Sequence, residues 1–106
     1  MFRENRLKRT LAEGRPALGC WLDMVSPVAA EIVGQAGYDC AVIDHEHGPG
    51  SLTDGLALLQ ALSGTGCTGL MRVPANDPVY MKRALDIGVE GIMVPSVNSA
   101  AEARAA

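Results

Sequence analysis

Short apolar runs alternate along the chain with longer stretches in which apolar residues return every three or four positions. The runs at 18–24, 40–44, 68–73 and 91–94 predict strands, since each is bounded by Gly, Pro, Ser or Asp. The unbroken apolar character of 40–44 suits a parallel strand covered on both faces. The stretches between them predict helices. Residues 3–13 carry Leu7 and Leu11 on one face, with Gly14 as a C-terminal stop and Pro16 beyond it. Ser26-Pro27 opens a second helix as N-cap plus first-position proline. Its predicted buried stripe is Val28, Ile32 and Ala36, with Ala29 and Val33 beside it and Gly37 as the stop. Ser51 with Asp54 is a capping-box pattern. It opens a helix whose Leu52, Leu56 and Leu59 line one face, with Leu58 and Leu62 adjoining, and residues 63–66 form the return loop. Asp77-Pro78 opens the next helix, with Met81 and Leu85 as its predicted buried face and Gly88 as its stop. Ser99 with Glu102 repeats the capping pattern and opens a last helix.

A weak internal repeat runs through this pattern. Ser26-Pro27 and Asp77-Pro78 lie 51 residues apart, as do Gly37-Tyr38-Asp39 and Gly88-Val89-Glu90, each triplet leading into a strand. Repeated strand–helix units imply an α/β fold with a parallel sheet and right-handed crossovers. The spacing of the strands fits a (β/α)8 barrel of the TIM type, of which four βα units are half, a whole barrel taking ~250 residues. The expectation is that residues 1–106 are the N-terminal half of such a barrel, preceded by the 3–13 helix, in a longer protein. The rival, a doubly wound open sheet, is disfavoured because no Gly-rich phosphate loop follows the first strand.

Composition narrows the function only by exclusion. Hydrophobic residues make up 48% and charged residues 20%, so a packed core rather than disorder is expected. A net charge of −3 does not point to nucleic acid or a membrane surface as partner, and no apolar run approaches the ~18 residues of a membrane span. Cys20, Cys40 and Cys67 are widely spaced, show no CxxC pairing and sit in or just before strands. They read as small core hydrophobes, not as a zinc site or disulfide framework. The basic N-terminus lacks a signal peptide's apolar core, and a cytoplasmic location is expected.

Candidate chemistry gathers where strands end. Asp44, His45, Glu46 and His47 follow the second strand and precede Gly48-Pro49-Gly50. Burying four such groups unpaired would cost several kcal/mol apiece, so a strand that delivers them to its own carboxyl end is a candidate site. His47 is a candidate general base, an unperturbed imidazole titrating near ~6.5, and Asp44 is a candidate partner to orient it. Glu46 is a candidate for holding a water or a neighbouring loop. Arg72, at the end of the third strand, is either a bidentate clamp for a substrate carboxylate or a barrel-end ion pair. Ser96 and Asn98 follow the fourth strand. Trp21 reads as core packing and Asp86 as a solvated helix end.

These pieces, taken together and in order, resemble the HpcH/HpaI aldolase family, the class II pyruvate aldolases related to the citrate lyase beta subunit. The resemblance rests on Gly19-Cys20-Trp21, Ser26-Pro27 with Glu31-Ile32, Ala36-Gly37-Tyr38-Asp39, Ile43-Asp44-His45-Glu46-His47-Gly48-Pro49, Met71-Arg72-Val73-Pro74-Ala75-Asn76-Asp77-Pro78 and Lys82-Arg83-Ala84-Leu85-Asp86-Ile87-Gly88. It implies a carbon–carbon lyase that reversibly cleaves a 4-hydroxy-2-oxo acid, of the 2-dehydro-3-deoxyglucarate or 4-hydroxy-2-oxoheptanedioate type, to pyruvate and an aldehyde. It further implies His47 as the catalytic histidine, Asp44 as its nearby aspartate, Arg72 as the pyruvate contact and Trp21 as a residue near the substrate pocket. Asp86 would reach a neighbouring subunit's site. A divalent ion (Mg2+, Mn2+ or Co2+) is implied as Lewis-acid cofactor, held by residues beyond Ala106, and a homo-oligomer, trimer or hexamer, as the assembly. No Schiff-base lysine is needed, and Lys82 on its helix is badly placed to be one.

The sequence departs from the family at His45, where many members carry a small residue. With the metal ligands expected elsewhere, the segment alone is expected to show little activity. The rival readings are a citryl- or malyl-CoA lyase-like enzyme of the same superfamily and a non-catalytic, self-associating half barrel.

Overall fold

A computed structural model describes residues 4–106. The elements in order are α1 (Arg6–Ala12), β1 (Gly19–Leu22), α2 (Pro27–Gln35), β2 (Cys40–Asp44), α3 (Leu52–Ser63), β3 (Thr68–Arg72), α4 (Pro78–Asp86), β4 (Gly91–Met93) and α5 (Ala100–Ala105). The predicted start of the first helix at Arg3 lies outside the described residues, and the described helix is capped by Asn5, which accepts the Lys8 N–H. The other caps follow the sequence. Ser26 and Asp77 accept the N–H groups of Ala29 and Val79, and Pro27 and Pro78 fill first helical positions, where a missing N–H is harmless. Ser51 and Asp54 form the reciprocal capping box. At α5 only half the box is seen: Ser99 accepts the Glu102 N–H, while the Glu102 carboxylate takes the N–H of Asn98.

All four strands are parallel and lie in the order β1-β2-β3-β4. When each right-handed crossover moves to the adjacent strand in the same sense, every helix falls on one face of the sheet. The core lies on that face. It joins Leu22, Ala41, Ile43, Met71 and Val73 of the strands and their ends to Ala30, Leu58, Leu62, Met81 and Ala84 of the helices. An open doubly wound sheet would reverse its strand order and carry helices on both faces. The fold is therefore α/β of the TIM-barrel type, seen as four consecutive βα units. By the register, Trp21, Val42, Leu70, Asp44, Arg72 and Met93 share the opposite face, the barrel's inside.

The 51-residue repeat is visible in the hydrogen bonds. Asp39 N–H donates to Leu18 O while its carboxylate accepts the Leu18 N–H; Glu90 N–H donates to Gly69 O while its carboxylate accepts the Gly69 N–H. Gly37 and Gly88 both stand at positive φ, 95° and 97°, just past α2 and α4, a conformation L side chains disfavour. The chain is thus two βαβ units of one design. They diverge after the second strand of each unit. Six residues separate Asp44 from the α3 cap Ser51, and three separate the equivalent Pro95 from the α5 cap Ser99. The longer connection is the one carrying His45, Glu46 and His47.

The predicted helix faces need correction. In α2, Val28 and Ile32 are exposed, and the buried positions are Ala30 and Gly34, with Val33 packed beside them. In α3 the buried face is Gly55, Leu58 and Leu62, and Leu56 is exposed. In α4, Met81 is buried as expected, but Ala84 takes the second buried position and Leu85 is exposed. Close approach explains this. A Cβ on Gly34 would sit 2.7 Å from Thr65 Cγ2, and one on Gly55 would sit 2.9 Å from Met71 Cε. Small residues mark the contact face, whereas the periodicity was weighted by large ones.

Candidate active site

β2 and β3 end together. Their last paired residues are Asp44 and Arg72, and the ladder runs one step further, His45 N–H donating to Arg72 O at 2.9 Å. Side-by-side placement on adjacent parallel strands gives the two side chains the same face. Arg72 Nε and Nη2 donate to Asp44 Oδ1 and Oδ2 at 2.9 and 2.6 Å, a bidentate fork. Asp44 is 4% exposed and also accepts the backbone N–H groups of Glu46 and His47. Chiefly through Arg72, and then through those backbone donors, its carboxyl is held well below the usual carboxylate range despite burial. The same hydrogen bond raises the Arg72 pKa.

The expected pairing of Asp44 with the His47 imidazole is not what forms. Both Asp44 oxygens are taken by Arg72 and by backbone, so its link to His47 is to the main-chain N–H at 3.3 Å. The imidazole is largely in solvent, and its neighbour is Glu46, with Nε2 3.7 Å from Oε1. Glu46 Oε2 in turn faces Arg72 Nη1 at 3.1 Å. Asp44, Arg72, Glu46 and His47 therefore form a chain of contacts at the sheet's carboxyl edge. Of the two readings of Arg72, the ion pair is present, and Nη1 and Nη2 keep N–H donors for a ligand.

Trp21 joins this group rather than the core. It is exposed on the inner face, and the Arg72 guanidinium lies 4.5 Å from its ring centroid. Asp86 does not join it within one chain. It is the last residue of α4, which runs back toward the amino ends of the strands, at the other end of the sheet. Asn98 and Ser96 close the loop after β4 on themselves, Asn98 Nδ2 donating to Ser96 O.

His45 is a functional-looking residue whose role sequence reasoning left open. Alternation along the strand turns it away from Asp44, toward the helices. It is 7% exposed, and its Nδ1 is 2.8 Å from Tyr80 Oη of α4. Burial lowers its pKa against the opposing pull of Asp44 and Asp54. The signal for Tyr80 was slight: a lone tyrosine on the helix after Asp77-Pro78.

Cys40 and Cys67 are buried free thiols and Cys20 is partly buried. Among the described residues no group of three His, Cys, Asp or Glu converges to hold a metal ion, and no helix is long and apolar enough to cross a membrane.

Comparison with known proteins agrees with the geometry. The family model described as HpcH/HpaI aldolase/citrate lyase matches residues 17–106. The chain is 39% identical over 99 residues to a 5-keto-4-deoxy-D-glucarate aldolase of Klebsiella pneumoniae subsp. pneumoniae, covering 93% of this chain and 39% of that relative. The same-named protein of Enterobacter sp. is 40% identical over the same shares. Among solved structures, an HpcH/HpaI aldolase/citrate lyase family protein of Burkholderia cenocepacia matches with a TM-score of 0.90 and 36% identity, over 96% of this chain and 41% of that one. The citrate synthase SbnG matches with a TM-score of 0.83 and 30% identity, over 89% and 38%. The chain spans about two fifths of the length of these relatives. It belongs to the HpcH/HpaI aldolase/citrate lyase family.

Proposed function

We propose that this chain carries the oxo-acid-binding and proton-transfer residues of an aldolase, a carbon–carbon lyase that cleaves a 4-hydroxy-2-oxo acid reversibly to pyruvate and an aldehyde. The observation that carries the reading is the Arg72 guanidinium, fixed by the buried Asp44 and stacked on Trp21 at the carboxyl ends of the strands. The relatives' name, 5-keto-4-deoxy-D-glucarate aldolase, supports a deoxy keto-glucarate as substrate.

Arg72 binds the substrate carboxylate through its free Nη donors. Asp44 holds the fork in place and leaves it little rotational freedom to lose on binding. Trp21 walls the site and shields the guanidinium from water on one side. His47 takes the proton of the 4-hydroxyl, with Glu46 Oε1 3.7 Å from its Nε2. The C3–C4 bond then breaks, its electron pair passes into C3 and the C2 carbonyl, and the aldehyde leaves. Return of the proton from His47 to C3 gives pyruvate and restores the neutral imidazole.

The described residues do not make a metal centre by themselves, since Asp44 is committed to Arg72 and no three donors converge. A divalent ion, held by ligands from outside these residues, would supply Lewis-acid stabilisation of the negative charge that develops on the oxo acid. We propose in the same terms that residues 1–106 are the N-terminal half of the barrel, and that turnover needs the other half.

The test is an aldol assay with pyruvate, an aldehyde and Mn2+. It is run on the chain alone and on the chain supplemented with the second half of a relative's barrel. Product that appears or increases on supplementation, and is lost in His47→Ala, supports the reading. Product formed at an unchanged rate in His47→Ala overturns the assignment of the base.

A further inference from the structure

The loop that carries Glu46 and His47 begins and ends on one side chain. His45 opens it, and the ring's Nδ1 is hydrogen-bonded to Tyr80 Oη on α4. Gly50 closes it, packed so that a Cβ there would lie 3.5 Å from His45 Nε2. From above, α3 presents Gly55, where a Cβ would lie 3.1 Å from His45 Cε1. Glycine inside a helix is destabilising relative to alanine, so its place here fits the need to admit the ring. Edge-on contact with the Tyr80 ring, at an interplanar angle of 85°, completes the slot. Among the described residues the buried Nε2 has no hydrogen-bond partner. A histidine with one orphaned nitrogen is a poor device for stability alone, because an apolar side chain of similar size would fill the slot without that cost.

We propose that His45 is a positioning residue: through its bond to Tyr80 it fixes the 45–50 loop, and so holds Glu46 and His47 in place beside Arg72. The charged and titratable groups around it are Asp44 on its own strand, Asp54 on α3, and Tyr80 on α4, itself near Arg83. The inference deepens the proposed function and rests on it for the meaning of the loop's placement.

Three variants separate positioning from packing. Tyr80→Phe keeps the ring and removes the bond. His45→Leu fills the slot and removes both the bond and the orphaned nitrogen. His45→Asn keeps a polar group where Nδ1 stands and can retain the bond. Hydrogen–deuterium exchange is followed at the amides of Glu46, His47, Gly48 and Gly50, with those of Leu58 and Leu62 in α3 as internal reference. Loss of one buried hydrogen bond predicts loop exchange about tenfold faster in Tyr80→Phe and His45→Leu. Wild-type rates should persist in His45→Asn and at the α3 amides in all three. In parallel, pyruvate affinity should fall about tenfold in the first two variants although His45→Leu melts no lower than wild type. Loop exchange unchanged in Tyr80→Phe and His45→Leu, or equally accelerated in all three, overturns the proposal. A wild-type chain that binds no pyruvate even when supplemented with the second half of a relative's barrel and Mn2+ contradicts the proposed function instead, and the exchange comparison still decides the role of His45.

Discussion

Arg72 and Trp21 occupy the same position in the two halves of the repeat, 51 residues apart, and stack on one another with the guanidinium 4.5 Å from the ring centroid. They belong to β1 and β3, the alternate strands that contribute to one side-chain layer inside a (β/α) barrel. The intervening strand places Val42 beside Trp21 in the register and Asp44 beside Arg72. A layer that a structural barrel would fill with aliphatic side chains is here given over to an aromatic wall and a cation. Replacing Trp21 with Leu should cost about 0.5–1 kcal/mol of stability in urea unfolding, the range of a partly exposed cation–π contact. A cost near zero would show that the stack contributes nothing in solution.

The Asp44–Arg72 fork is the structural centre of the site. Asp44→Asn removes a buried charge and both charge-assisted bonds of the fork, leaving Glu46 as the guanidinium's remaining counter-charge, so it should destabilise the chain by about 1.5–3 kcal/mol in chemical denaturation. The fork also governs acid behaviour. A carboxyl whose pKa is lowered on folding binds fewer protons in the native than in the unfolded chain. Its stabilisation is therefore complete above the unfolded value of ~3.9 and is lost as pH falls from there through the native value. In the wild type, stability should fall steeply below about pH 4, and in Asp44→Asn that fall should be shallower.

Most of the architecture was legible because local chemistry and global fold agree. Pro27, Pro78, Ser51 and Asp54 stand where their caps form, and the 40–44 run is buried at every position. The helix faces were less legible. Ala30, Gly34, Gly55 and Ala84 carry too little apolar area to dominate a periodicity, yet their small size is what lets the helices approach. In the site, the residues at the strand ends were readable, but their pairing was not. Asp44 stands three residues from His47 and twenty-eight from Arg72, and only the β2–β3 register reveals that the distant residue is its partner. Residue types alone put Trp21 in the core, and only the resemblance puts it near a substrate pocket, because nothing local says that its side chain faces the open side of the sheet.

His45 predicts a second pH effect of the same sign. Burial lowers its native pKa below the ordinary ~6.5, so the unfolded chain binds more protons as pH falls through that value. Its contribution is complete above that range and declines as pH drops below it. Wild-type stability should fall between pH 7 and pH 5, at a slope of at most about 1.4 kcal/mol per pH unit from this group. His45→Leu should flatten that slope. An identical slope in both chains would place the titrating group elsewhere.

Gly55 offers a packing test. Alanine improves helix propensity by ~0.5–1 kcal/mol, but its Cβ would crowd Met71 Cε and His45 Cε1, and overpacking a core costs ~1–3 kcal/mol. Gly55→Ala should therefore lower the melting temperature, and in the His45→Asn background, where the ring is gone, the loss should be smaller. A rise in melting temperature in the wild-type background would show that the ring and Met71 yield freely.

The most direct measurement is the affinity of pyruvate for wild type and for Arg72→Lys, each supplemented with the second half of a relative's barrel, by isothermal titration calorimetry in the presence of Mn2+. Lysine keeps the charge but cannot reproduce the fork that Asp44 orients. The dissociation constant should rise about ten- to a hundredfold, the loss of a charge-assisted hydrogen bond of ~1.5–3 kcal/mol. Equal affinity in the two chains would contradict the placement of the oxo-acid carboxylate on Arg72.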